Sequence, residues 1–111
     1  MFAYTVHASF EGSDPGLIDA WIAWLAEGHL AEVLAAGALE ASVLRLDDAA
    51  GTPPRCEARY RFPSRAAFEA YLRDSAPRLR AEGLARFPPE SGIRYARSQG
   101  EIRVELPGGP A

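Results

Sequence analysis

LEASVLRLDDAAGTPPRCEARYRF, residues 39–62, is the stretch on which the fold turns. Leu39 to Leu46 reads as a strand. Asp47 to Arg55 reads as a turn, marked by Asp47-Asp48, Gly51 and the Pro53-Pro54 pair. Cys56 to Phe62 reads as the returning strand, so the middle of the chain is a hairpin. Helical patterns lie on both sides of it. Upstream, Ser13-Asp14-Pro15 supplies a capping oxygen and then a proline near the first helical position. The helix is expected from Pro15 to Ala36, with Gly37 ending it in a left-handed conformation. Downstream, Pro63-Ser64 opens a second helix with Ser64 as its cap, and Phe68, Tyr71, Leu72 and Leu79 share one face. Pro77 is expected to split this helix, its second piece starting near Ser75. Gly83, Pro88 and Pro89 close the region.

Outermost are two more strands. Phe2, Tyr4, Val6, Ala8 and Phe10 alternate with Ala3, Thr5, His7 and Ser9, which is strand periodicity. A last strand is expected over Ile93 to Leu106, with a break near Gly100. The order strand, helix, strand, strand, helix, strand predicts an α+β, ferredoxin-like βαββαβ domain, an antiparallel sheet with two helices on one face. The second set of the first strand carries no charge, so the other sheet face is expected to need cover. A second copy of the chain would supply it, giving a homodimer.

The chain has 111 residues, the size of a single domain, and 48% of them are apolar. The domain is expected over residues 1–106, with 107–111 as a frayed tail. Twelve basic residues, all arginine, face fifteen acidic ones, for a net charge of −3. That balance gives no pull toward nucleic acid. The single cysteine, Cys56, cannot form an internal disulfide and suits a reducing, cytoplasmic setting. The start of the chain lacks the basic and long apolar segments of a signal peptide, and no apolar run reaches membrane-span length.

On a helical wheel Leu17, Ile18, Trp21, Ile22, Trp24, Leu25 and Val33 form a broad apolar arc, and His29 falls inside it. Asp19, Ala23, Ala26, Glu27 and Leu30 fall on the other side, and Gly28 invites a bend. The run Trp21-x-x-Trp24-x4-His29-x-x-Glu32-Val33-Leu34-x-x-Gly37 is followed by Tyr60, Tyr71, Ala76-Pro77-x-Leu79-Arg80, Arg86-Phe87 and Arg97. Over residues 2–98 this series resembles the bacterial domain-of-unknown-function family 4286, within the dimeric α/β-barrel superfamily. The chain departs from the family pattern at Ala36, at Arg59 and in a longer last strand. The resemblance implies a ferredoxin-like protomer and a dimer whose sheets form a barrel. It implies no particular reaction. The wider superfamily spans cofactor-free monooxygenases, isomerases, haem-degrading enzymes and non-catalytic stress proteins.

His29 and Glu32 stand three apart, so on a helix the carboxylate can orient the imidazole and raise its basicity. Such a pair suits a general base acting on a phenol or carbon acid. The same residues also suit a histidine that satisfies a helix bend. His7 on the first strand can line a pocket or sit at an interface. Trp24 can stack on an aromatic ligand or belong to the core. Tyr60 can place a hydroxyl in a pocket, and Arg97 can contact an anion or form a dimer salt bridge. Two histidines and one unpaired cysteine are too few for a zinc site, so no metal is expected. GxGxxG, Walker-type, GxSxG and CxxC motifs are absent. The sequence therefore predicts a small-molecule enzyme without a cofactor, acting on an apolar or aromatic compound with His29 as base and Glu32 behind it. His7, Trp24, Tyr60 and Arg97 are the expected ligand contacts. The alternative is a non-catalytic ligand-binding, interaction or stress-type module. A weaker third reading is haem binding through His7 or His29.

Overall fold

The computed structural model describes residues 1–12 and 14–109. Four strands form one antiparallel sheet: β1 (Phe2–Phe10), β2 (Glu40–Arg45), β3 (Arg55–Phe62) and β4 (Ile93–Glu101). Their order across the sheet is β2-β3-β1-β4. The expected hairpin is the β2–β3 pair, with Val43 opposite Ala58. β1 lies between β3 and β4, with Tyr4 opposite Tyr60 on one side and Gln99 on the other. Helical segments α1 (Leu17–Trp24), α2 (Leu30–Ala35), α3 (Arg65–Asp74) and α4 (Ala76–Arg86) complete the ferredoxin-like α+β architecture. No helix among the described residues is long and apolar enough to cross a membrane.

Alternation along the strands sorts side chains onto two faces. Phe2, Tyr4, Ala8 and Phe10 of β1 meet Cys56, Ala58, Tyr60 and Phe62 of β3 in a core closed by Trp21, Val33, Phe68 and Leu79. Phe68 sits at its aromatic centre, with ring centroids 4.9 Å from both Phe2 and Tyr4 and 5.3 Å from Phe62.

Local signals act largely as anticipated. Ser64 caps α3, its Oγ accepting from Ala67 N–H at 3.1 Å. The second helix is divided, α4 starting at Ala76 with Pro77 in its first turn, where a missing N–H costs nothing. Gly37 ends α2 with φ 124°, a conformation that side chains with a Cβ avoid.

Five details differ from the sequence reading. The first helix starts at Leu17, and Asp14 makes the turn before it, accepting from Gly16 N–H at 2.8 Å. The cap expected at Ser13 lies outside the described residues. Residues Leu25–His29 form a π-helical turn between α1 and α2, and this takes the place of a bend at Gly28. A π turn spends an extra residue, shifting the phase of the next helical segment by about 100°. Leu30, placed outward by the wheel, consequently packs against the core.

β4 stops at Glu101 instead of Leu106, because its partner strand runs out at Phe2. Ile102 N–H still bonds to Met1 C=O at 2.9 Å, and Glu105 pairs with Arg61. Finally, the sheet face away from the helices is not free of charge. Glu57 pairs with Arg59 at 2.8 Å, and Arg61 pairs with Glu40 at 2.9 Å. The charges come from β2 and β3, whereas the expectation rested on β1.

Candidate functional site

The helices do not seal the sheet. Between them lies a cleft of about 190 Å³, lined mainly by aromatic and aliphatic side chains. Its floor comes from the sheet, with Tyr4 and Val6 of β1, Ala58 and Tyr60 of β3, and Tyr95 and Arg97 of β4. Its walls come from α1 and the π turn (Trp21, Trp24, Leu25, His29) and from Tyr71 of α3 and Leu79, Arg80, Gly83 and Leu84 of α4. Among the described residues no aspartate or glutamate lines it.

His29 ends the π turn, an irregularity that recurs at functional sites because it re-aims one side chain. The imidazole stacks on Trp24, with centroids 4.4 Å apart and planes 26° from parallel. Trp24 in turn packs edge-on against Phe87 at 5.7 Å. It can lie this close to α4 because residue 83 is glycine. A Cβ there would stand 3.3 Å from the far edge of the indole, Cη2.

Burial lowers the His29 pKa below 6.5. Glu32 and Glu82 oppose that effect, and Arg78 adds to it. The ring is therefore neutral at pH 7. Its Nδ1 is buried without a hydrogen-bond partner among the described residues, which is uncommon for a buried polar atom.

Glu32 does not orient this ring. Its carboxylate accepts from Arg78 at 3.2 Å, and Arg78 also binds Glu82 at 2.9 Å. From His29 through α2 the backbone is α-helical, so the spacing itself holds, but Arg78 of α4 takes the carboxylate. Glu32 borders a shallow outer groove with Trp24, Glu27, His29 and Glu82, and is not in the cleft.

Trp24, Tyr60 and Arg97 line the cleft with His29, so four of the six anticipated residues come together. His7 does not join them. It points to the opposite sheet face, where Nδ1 meets Glu57 at 3.2 Å and Nε2 meets Ser98 at 3.0 Å. Both ring nitrogens are thus engaged.

Burial raises the pKa of the Tyr60 and Tyr95 phenols and pushes Tyr71 up to about 12, so all three are un-ionised donors. The Tyr95 oxygen accepts from Trp21 Nε1 at 3.1 Å, which fixes the indole under α1. One contributor, Arg80, was not anticipated as a site residue. It reaches the Tyr4 hydroxyl at 3.2 Å, and Arg97 Nε reaches the same oxygen at 3.1 Å. Arg80 follows the core residue Leu79, and nothing local marks it as inward. Among the described residues, no three His, Cys, Asp or Glu side chains gather as a metal-ligand set.

A family model described as Domain of unknown function (DUF4286) matches residues 1–92. The chain belongs to this family. The matched span includes His29, Trp24, Tyr60 and Arg80, and it stops before Arg97.

Solved structures share the fold at low sequence identity. A dimeric ferredoxin-like protein from an uncultured marine organism is 21% identical, covering 95% of this chain and 97% of its own, with a TM-score of 0.64. HapK from Hahella chejuensis is 18% identical, covering 98% and 100%, with a TM-score of 0.69. SnoaB, a cofactor-independent oxygenase from Streptomyces nogalater, is 16% identical, covering 96% and 98%, with a TM-score of 0.56. No curated protein matches the chain.

Proposed function

We propose that this chain is a cofactor-free small-molecule enzyme in which His29 acts as general base on an apolar, aromatic compound held in the cleft. One observation carries the reading. An imidazole with one nitrogen buried and unpartnered among the described residues lines a mainly apolar cleft beside an aromatic wall. Desolvation makes the free base the resting form, so the ring can accept a proton without first losing one. The substrate's acidic C–H or O–H gives its proton to the imidazole, and the electron pair stays on the substrate as a delocalised carbanion or phenolate. Returning the proton to a different carbon completes an isomerisation. Trp24 holds the substrate's ring plane, and the buried Tyr60 and Tyr71 phenols can donate to the growing negative charge. The similarity to SnoaB supports chemistry of this kind, since that neighbour is described as a cofactor-independent oxygenase.

Exchange of the α-hydrogens of 2-tetralone in D2O, followed by proton NMR, tests the base. The wild type should speed exchange about 10²-fold over buffer, the lower end of general-base effects. His29→Gln should remove the acceleration. Equal exchange by wild type and His29→Gln would refute the assignment.

A passive binding module is the second reading, favoured by the Arg78–Glu32 bond, which leaves His29 without an orienting carboxylate. On that reading 2-tetralone binds and its exchange is not accelerated. The protein acts as a homodimer in this proposal, consistent with the dimeric description of its neighbours. A dimer through the open sheet face would cover the already paired Glu57–Arg59 and Arg61–Glu40 groups, so neither charge would be stranded. Light scattering should give twice the chain mass.

A further inference from the structure

We infer that the ligand of this cleft is an organic anion, an aromatic ring system bearing one carboxylate or equivalent oxyanion, seated on Tyr4, Arg80 and Arg97. This rests on the cleft being a ligand site and adds the class of ligand.

Charge pairing is the first argument. Seven of the twelve arginines, among them Arg59, Arg61 and Arg78, have a carboxylate within 4.0 Å. Arg80 and Arg97 are among the five that have none among the described residues; both are exposed at the cleft mouth, yet they come from different elements, α4 and β4, and converge on a single atom. That atom is the hydroxyl oxygen of Tyr4, a neutral group. Two guanidinium groups brought to one phenol repel each other, and among the described residues no acid in the cleft lining offsets them. An anion placed there would supply the missing charge.

Donor geometry is the second argument. The Tyr4 oxygen accepts from both arginines, and its own O–H has no acceptor among the described residues. The phenol proton and the remaining guanidinium N–H groups are therefore unspent donors at one point of the cleft. A guanidinium presents five donors and no acceptor, so only an acceptor can complete the set. A carboxylate, with two oxygens and lone pairs in one plane, matches that arrangement.

The surroundings exclude a bare inorganic ion as the full ligand. Val6, Leu84 and Trp24 would be left against water by a small anion, whereas an attached ring system would cover them. The positive field reaches across the cleft. Arg97 works against the burial-driven rise at Tyr60, Tyr71 and Tyr95 alike. The same field would stabilise negative charge formed when His29 takes a proton.

Calorimetric titration of the full chain with 2-naphthoate and its uncharged counterpart 2-naphthamide tests the inference. Charge-assisted hydrogen bonds predict at least about tenfold tighter binding of the naphthoate at low salt. Arg80→Gln and Arg97→Gln should each remove most of that preference and leave naphthamide affinity within about twofold. Tyr4→Phe keeps the ring packed on Phe68 and should weaken naphthoate alone. It serves as the control if an arginine variant does not fold, as judged by circular dichroism. Equal affinity for the two probes, or a preference that survives both arginine variants, would overturn the inference and leave the cleft reading standing. Binding of neither probe would overturn both.

Discussion

Gly83 is the residue through which the cleft can be closed without touching a polar group. It lies in the middle of α4 with an ordinary helical backbone, so its value is the missing Cβ and not a special conformation. A Cβ added there would sit 3.3 Å from Trp24 Cη2 and 4.0 Å from Cζ3. Relaxing the first distance to ordinary carbon contact needs a shift of about 0.3 Å, which the rim of a half-buried indole can make. Removing a glycine from a helix interior contributes about 1 kcal/mol. Gly83→Ala should therefore leave stability unchanged or raise it by up to about 1 kcal/mol.

Gly83→Leu carries the same helical gain, but its three further carbons must enter the space between Trp24 and the sheet. Overpacking costs about 1–3 kcal/mol where a core is tight, and an open cleft should keep the cost at the low end. Guanidinium denaturation should thus place Gly83→Leu within about 2 kcal/mol of wild type, while 2-naphthoate binding falls at least about tenfold. Gly83→Ala should bind nearly as wild type. Normal binding by a folded Gly83→Leu would refute the placement of the ligand against α4. A collapse of stability would show that this region is packed core.

Three other outcomes are expected. Burial holds the His29 imidazole below its ordinary 6.5, so as pH falls the unfolded chain takes up the proton first. The stability associated with His29 is fully present above pH 6.5 and is lost as pH falls through its lowered folded-state value. Denaturant midpoints should decline less between about pH 7.5 and 5.5 for His29→Gln than for wild type; parallel declines would contradict a desolvated ring. Tyr95→Phe strands the Trp21 indole N–H, which is buried, and should cost about 1–3 kcal/mol in chemical denaturation. Ser64→Ala removes the acceptor for Ala67 N–H and should cost about 1 kcal/mol, with Ser64→Asp restoring it.

Features of the fold that depend on neighbours in sequence were legible. The turn after Asp47, the Ser64 cap and the division of the second helix all come from local backbone chemistry; the cap is found as expected, β3 already begins at Arg55, and the helix divides at Ser75, just before Pro77. The limits of β4 were not, because a strand ends where its partner ends, and Phe2 lies at the other end of the chain. The charged face was readable in principle. Glu57, Arg59 and Arg61 alternate with buried neighbours along β3, and the same two-residue period that sorted β1 sorts them outward.

The candidate site divides along the same line. Trp24 and His29 could be found from one helix because both lie on its apolar arc. Tyr60 and Arg97 could be suspected from their strands. Glu32 keeps its helical spacing from His29, but its carboxylate is held by Arg78, forty-six positions away on α4, which the spacing could not show. Arg80 belongs to the run that carries the family resemblance, but its place in the site could not be read from it. A single arginine beside a core leucine looks like a solvated helix position, and its meaning appears only when a residue seventy-six positions away accepts its hydrogen bond. The histidine is thus a property of one segment, whereas the anion seat is a property of the assembled fold. A substitution at Arg80 should therefore change what the cleft binds while leaving α4 itself intact.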